Sequence, residues 1–322
     1  ADGSSTIEPI NPFDTQYGTS GTTTPFRDNN RQLEQTGVYL QDQIELEQWR
    51  ITLSGRHDWI DVSNEYEALA TGNLNSQELE ESKFSGRAGV LYLFDNGVAP
   101  YVSYSESFSP SSNVGEDGDL IEPTEGRQYE AGLKYEPAST RHRYSAAIFR
   151  IDQDNVANKI PDIPAYRAVG STRSEGVELE ATTWLTQGWS VMASYTYTDV
   201  TVEESSVGNE GKTPVATPRH MASLWSSYAF RNETLQGLDA ALGLRYVGES
   251  WANEANTLEV PDYTLVDANL RYDLTSLGMD GVSASLNVKN LFDKEYVGAC
   301  IRESRCYYGA ERSVEATLTY DF

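Results

Sequence analysis

At 322 residues the chain has room for two ordinary domains or one large β domain. No run of about 18 apolar residues occurs, which excludes membrane-spanning helices but not a barrel, whose strands show lipid only alternate residues. Lys and Arg number 24 against 49 Asp and Glu, a net charge of −25. That balance argues against nucleic acid as a partner and is compatible with a cationic or metal-loaded ligand. Twenty Tyr and six Trp against three Met supply amphipathic rings suited to membrane–water boundaries or binding surfaces.

Period-two apolar faces recur from about Thr36 onward. The first three are Val38, Leu40, Ile44, Leu46; then Trp49, Ile51, Leu53; then Phe84, Ala88, Val90, Tyr92, Phe94. An aromatic-rich strand follows near 98–108, then Tyr129, Ala131, Leu133, Tyr135, then an ambiguous strand around 141–152. Val177, Leu179, Ala181, Leu185 lead to Trp189, Val191, Ala193, Tyr195, Tyr197 and to Ala222, Leu224, Tyr228, Phe230. Leu238, Ala240, Leu242, Leu244, Tyr246 come next, then Val266, Ala268, Leu270, Tyr272, Leu274, then Val282, Ala284, Leu286, Val288. The chain ends on Val314, Ala316, Leu318, Tyr320 and Phe322. That gives about 13 strands, most of ten residues or more, with polar opposite faces such as Asp267, Asn269, Arg271 and Asp273.

The connections alternate. Short ones fall near 47–48, 95–97, 137–140, 186–187, 231–236 and 275–280; long ones fall near 63–82, 109–124, 153–173, 203–217, 249–262 and 297–307. A meander crossing a membrane must do this, because its odd connections lie on one side and its even ones on the other. The expectation is an all-β antiparallel transmembrane barrel, apolar outside and polar within, with short periplasmic turns and long outer loops. A soluble β-sandwich would show shorter strands and no such two-sided pattern. Thirteen strands cannot close a single-chain bacterial barrel, and an open edge in lipid costs several kcal/mol per unpaired backbone group. Further strands are therefore expected before these. The opening residues are small and polar with no visible leader, so either processing removed one or the chain is part of something longer.

Cys300 and Cys306 are the two cysteines. So close a pair points to a disulfide and an oxidising compartment; two free thiols are the alternative, and a metal site would want nearby His. His57, His142 and His220 lie in separate strands without shared spacing. With no nucleophile motif beside them, catalysis is not expected.

Several stretches resemble TonB-dependent siderophore receptors: Asn290–Tyr296 (NLFDKEY), Arg173–Glu180 (RSEGVELE), Thr217–Trp225 (TPRHMASLW), Pro261–Ala268 (PDYTLVDA) and the final aromatic residue. Leu93–Gly97, Tyr101–Phe108 (YVSYSESF) and Cys300…Cys306 followed by Tyr307–Arg312 are most similar to the ferrichrome-iron, hydroxamate-type branch. The resemblance covers about residues 35–322 and implies the C-terminal part of a plugged barrel of about 22 strands, without its plug and TonB-binding segment. Residues 1–34 are then an extracellular loop and 35–322 barrel. It implies import of a ferric hydroxamate siderophore, as cargo rather than cofactor, across the outer membrane of a Gram-negative bacterium. Energy would come through TonB, with lipid and lipopolysaccharide as surroundings. A passive porin or surface adhesin using the same wall is the alternative.

The resemblance also implies site residues. Ile301 stands where such a receptor carries a siderophore-contacting aromatic; it keeps apolar contact and loses ring stacking, which leaves hydroxamates plausible while questioning ferrichrome itself. Tyr307 and Tyr308 match aromatic positions after the second cysteine, although alternation lets only one face the vestibule, and an interfacial belt is the other reading. Trp251 and Phe108, at loop bases, are further ligand candidates. Phe322, with Tyr320 and Leu318 before it, reads as a C-terminal barrel-assembly signal.

Overall fold

The computed structural model describes residues 2–5, 23–69, 71–138, 140–159, 166–302 and 305–322; of residues 2–5, 23–27, 68, 158, 159, 167, 169, 301 and 302 it describes the backbone alone. In chain order the strands are β1 (Asp2–Ser5), β2 (Thr23–Leu46), β3 (Trp49–Ala68), β4 (Asn73–Tyr92), β5 (Val98–Ser109) and β6 (Thr124–Tyr135). Then come β7 (Arg143–Lys159), β8 (Tyr166–Trp184), β9 (Trp189–Glu204), β10 (His220–Ala229), β11 (Leu238–Val247), β12 (Ser250–Trp251) and β13 (Glu259–Val260). The last are β14 (Tyr263–Asp273), β15 (Val282–Lys289), β16 (Val297–Arg302), β17 (Arg305–Tyr308) and β18 (Ser313–Tyr320). Fourteen form one sheet in the order β1 to β11, β14, β15, β18, every pair antiparallel; β12–β13 and β16–β17 are small separate hairpins. Setting aside the four-residue β1, the sheet has the thirteen expected strands.

Register turns the periodicity into two faces. Ala181, Ala193, Leu224, Leu244 and Val266 meet across five strands, and one residue along Thr182, Met192, Trp225, Gly243 and Asp267 do the same on the other side. The apolar face is not packed against a second layer. Leu40 is 79% exposed, Leu242 57% and Leu318 72%. A sandwich would bury these rows; a membrane wall shows them to lipid, as the alternation in the sequence leads one to expect. The polar face is cross-linked by hydrogen bonds: Asn269 Nδ2 donates to Asn287 Oδ1 (2.6 Å), and the Ser194 and Ser223 hydroxyls lie 2.8 Å apart. Asp42, between Leu40 and Ile44, breaks the apolar row, and nothing in the structure explains it.

Aromatic rings bound the apolar band at both ends. Below, Trp49 meets Tyr92, Tyr92 meets Phe94, Tyr135 meets Tyr144, and Tyr228 meets Phe230. Above, Tyr104 meets Tyr129, and Tyr197 meets His220. Six to eight residues separate the two levels, as from Tyr129 to Tyr135 or Trp189 to Tyr197, about 20–27 Å of strand before tilt. That matches an apolar band about 25 Å tall between aromatic girdles.

The short connections are tight. At Asp95–Gly97, Asn96 Oδ1 accepts from Val98 N–H (3.1 Å), and Gly97 takes φ 85° beside the Glu136 carbonyl, where a Cβ would collide. Several long connections are shorter as loops than their sequence implies. Residues 63–82 are mostly ladder, with β3 and β4 paired from Trp49↔Tyr92 to Ala68↔Asn73 around a turn containing Gly72. Likewise β7 and β8 reach to Lys159 and Tyr166, and β2 starts at Thr23, so residues 23–34 are strand. Neither face of these extensions meets lipid, so no lipid-facing apolar row marks them, while backbone pairing continues.

Candidate functional site

The outer connections gather in two clusters. In the first, Gly211 N–H donates to the Val202 carbonyl and Val202 N–H to Lys212, folding the 203–217 loop back along β9. Thr213 N–H donates to Asn256 Oδ1 and Asn256 Nδ2 to the Thr213 carbonyl, both at 2.8 Å. Asn209 Nδ2 donates to Glu254 (2.7 Å), and Ala216 N–H to the Trp251 carbonyl (3.0 Å). The loop carrying β12–β13 is thus clasped to its predecessor. Ala252 and Val260 in turn pack on Cys300, which is 3% exposed, with Val297 alongside.

Cys300 and Cys306 form a disulfide across the β16–β17 hairpin. Closing a seven-residue loop contributes roughly 2 kcal/mol in the chain-entropy model. Because Cys300 lies inside the small core of a neighbouring hairpin, the bond stiffens two loops. Glu259 in β13 is held above the usual carboxylate range, chiefly by the Glu249 carboxylate beside it.

Below this cluster the Asn290–Tyr296 stretch ties a knot. Asn290 has a left-handed backbone (φ 50°) and is buried. Its side chain donates to the Lys294 and Ala310 carbonyls and accepts from Lys294 N–H, all within 3.1 Å. Its own N–H goes to Asp267, which also takes two bonds from the Arg245 guanidinium (2.7 and 3.1 Å). Asp293 accepts from Arg312 N–H (2.8 Å), and the Tyr296 ring packs at a tilt on Tyr263, centroids 4.3 Å apart. The motif is the clamp that returns the chain from the last outer hairpin into β18.

The second cluster is an inward fold of residues 110–123. Ile60 and Val62 lie on the inner face of β3 and are buried beneath Leu120, with Leu79, Phe108 and Val114 around them. Gln77 Nε2 holds the Gly118 carbonyl (2.7 Å), and Tyr166 N–H donates to Val114 (2.9 Å), linking this loop to the start of β8. Beside it Asp58, fully buried, takes two bonds from Arg56 and one from Gln35. Between the clusters a cleft of about 480 Å³ is lined by Val156, Tyr166, Thr172, Val202, Asn209 and Glu254. It combines apolar walls with carboxylates and amides.

The five ligand candidates are therefore not all together. Trp251, Tyr307 and Tyr308 share the disulfide cluster; Trp251 is half-buried, while Tyr307 and Tyr308 are both exposed. The side chain of Ile301 lies outside the described residues. Phe108 sits in the other cluster and anchors the 110–123 fold. Ile60 and Val62 were missed from sequence, although β3 carried a signal: its apolar residues switch from odd positions (49, 51, 53) to even ones (60, 62) without a break in the strand. His57 packs on Trp59, His142 on Tyr144, and His220 Nδ1 lies 2.9 Å from the Tyr195 hydroxyl, so each histidine belongs to a girdle. Among the described residues no group of three or more His, Cys, Asp or Glu could hold a metal ion.

The family described as "TonB dependent receptor-like, beta-barrel" matches residues 2–291. The chain is 44% identical over 315 residues to the ferrioxamine B receptor of Salmonella typhimurium, covering 98% of this chain and 44% of that one. It is 42% identical over 316 residues to the ferrichrome outer membrane transporter/phage receptor of Escherichia coli, covering 98% and 42%. It superposes with TM-score 0.78 on the siderophore receptor PiuA from Acinetobacter baumannii, at 25% identity over 93% of this chain and 44% of that one. The chain thus spans less than half the length of each.

Proposed function

The chain belongs to the TonB-dependent receptor β-barrel family, and from that premise we propose that it forms the C-terminal wall and part of the mouth of an importer for ferric siderophores of the hydroxamate type. This is a family of outer-membrane receptors and transporters rather than enzymes. The observation that carries the substrate class is identity of 42–44% to ferrioxamine and ferrichrome receptors over nearly the whole chain. The mouth supports it physically: clasped loops lose less entropy when a ligand docks, so more of the contact energy is kept as affinity.

In this reading the 35–322 segment supplies barrel wall and the region before it belongs to the outer surface. Ile301, Trp251 and one of Tyr307 and Tyr308 offer contact to the chelate from the disulfide cluster, while Phe108 acts by positioning the inward loop. The open edges β1 and β18 are paired by further strands of the receptor, since lipid gives unpaired backbone no partner. A plug from the rest of the receptor covers the polar inner face and takes energy through TonB, and lipid and lipopolysaccharide surround the outer one. The C-terminal Leu318, Tyr320 and Phe322 serve as the assembly signal. Titrating the full-length receptor with iron-loaded linear and cyclic hydroxamates, catecholates and haem tests this. Saturable hydroxamate binding is expected; preference for a catecholate, or only unsaturable diffusion as in a porin, would contradict it.

A further inference from the structure

Among the described residues, the lipid face between the two girdles carries one carboxyl, that of Asp42 on β2. It stands midway across the apolar band. Four residues above it Val38 pairs with His57, whose ring packs on Trp59; four below, Leu46 pairs with Trp49, whose ring packs on Tyr92. On the β3 side Asp42 faces Leu53, with Ile51 and Gly55 diagonally beside it, and Leu40 and Ile44 flank it along β2. None of these side chains can donate a hydrogen bond, and Asp42 has no partner among the described residues.

Other polar side chains on this face are bonded from one strand to the next. Trp189 Nε1 of β9 donates to Ser226 Oγ of β10 (2.9 Å), and the Tyr144 hydroxyl of β7 donates to Thr183 Oγ1 of β8 (3.1 Å). The Tyr195 hydroxyl of β9 lies 2.9 Å from His220 Nδ1 of β10. Hydrocarbon offers no water in exchange, so a polar group there keeps a protein partner. β2 differs from these strands in its neighbours. β3 pairs with it from Arg27 down to Leu46, whereas β1 pairs only with its upper end, from Ser5↔Thr23 to Asp2↔Arg27. The other edge of β2 is open where Asp42 lies. Because β1 is antiparallel to β2, the receptor residues ahead of Asp2 lead down that edge. Continued from Asp2↔Arg27 without a further bulge, the ladder sets the residue about fifteen positions ahead of Asp2 opposite Asp42, on the lipid face.

We propose that the receptor strand running into β1 carries a lipid-facing hydrogen-bond donor that pairs with Asp42, a hydroxyl or a basic side chain at that position or two residues to either side. This rests on the reading of the chain as part of a larger closed wall. A carboxyl alone in hydrocarbon is costly, whereas a cross-strand donor satisfies it. The pair also fixes register at the edge where this segment joins the rest of the receptor, since a slip of one residue would separate the two groups.

The test uses the full-length receptor in detergent micelles, with heat-modifiable gel mobility reading the unfolding midpoint. Cysteines replacing Gln43 and the residue opposite it on the upstream strand, both on the inner face, report by cross-linking whether the two strands pair. Where the cross-link forms, Asp42→Leu is expected to lower the midpoint by about 2–4 °C although it adds apolar surface. Replacing the donor by Leu lowers it too, and both changes together lower it no further than one alone. Asp42→Asn separates the two donor types: it holds the midpoint against a hydroxyl and lowers it as Leu does against a basic group. The double replacement removes acid and donor together, so it should assemble even where a single one does not. With the cross-link formed, an unchanged or raised midpoint in Asp42→Leu would overturn the pair. So would additive losses, failure of the double replacement to assemble, or apolar residues at all three upstream positions. A cross-link that does not form would instead overturn the strand arrangement beneath the proposal, and the pair with it.

Discussion

Asn290 concentrates more structure than any apolar residue around it. Its amide bonds two carbonyls and one N–H of Lys294 and Ala310, and it tolerates the left-handed backbone that β-branched residues avoid. Asn290→Ala removes these three bonds, at about 0.5–1.5 kcal/mol each. It should lower the unfolding temperature of the folded receptor by several degrees and slow its appearance as the heat-modifiable form; an unchanged melting curve would deny the clamp its role. The disulfide has a different signature. Cys300→Ser/Cys306→Ser should leave barrel melting nearly unchanged, speed amide exchange at Ala252 and Val260 as well as in its own hairpin, and weaken siderophore binding up to about 30-fold. Glu259 gives a pH dependence. Its folded-state value is raised by Glu249, so repulsion loosens β12–β13 above that value and vanishes below the ordinary Glu range near about 4.3. Glu259→Gln should slow exchange in this hairpin at pH 7 and make no difference at pH 4, after correction for intrinsic exchange.

At the scale of elements, what could be read in advance was whatever lipid imposes. The wall strands were legible because one face meets hydrocarbon: Leu242 and Leu244 alternate with Ala241 and Gly243, and the eye needs only the period. Beyond the girdle that constraint ends. The upper halves of β3 and β4 are ladder-paired but carry no continuous lipid-facing apolar row, and their apolar Ile60, Val62 and Leu79 turn to the inner cluster instead, so sequence shows loop where structure shows strand. The disulfide hairpin could be located by its cysteines, whereas its burial under Ala252 and Val260 depends on contacts between loops that no period records. Phe108 shows the same limit. An aromatic at a loop base looks like a ligand contact, but Leu120 folds back onto Ile60 and Val62 and gives the ring a packing role. Phe108→Ala should therefore expose residues 110–123 to added protease while leaving the β-sheet circular dichroism intact; equal protease resistance in the variant would remove the anchor.

For the whole molecule, the sheet is a wall with two solvents. Its lipid face is a row of exposed Leu, Val and aromatic side chains between two ring girdles, and its inner face is a lattice of amides, hydroxyls and charges, in which the Tyr101 hydroxyl donates to Glu130 (2.6 Å) and Arg245 pairs with Asp267. Long hairpins carry this wall beyond the upper girdle, where two clasped loop clusters frame the mouth. The two-faced wall is tested most directly by nitroxide scanning of the full-length receptor in a bilayer, from Ala240 to Leu244 on β11 and from Ala284 to Val288 on β15. Labels at Leu242, Leu244, Leu286 and Val288 should be relaxed by oxygen, and those at Ala241, Gly243, Ser285 and Asn287 shielded from it. Oxygen accessibility without this two-residue alternation, or with the opposite phase, would contradict the account.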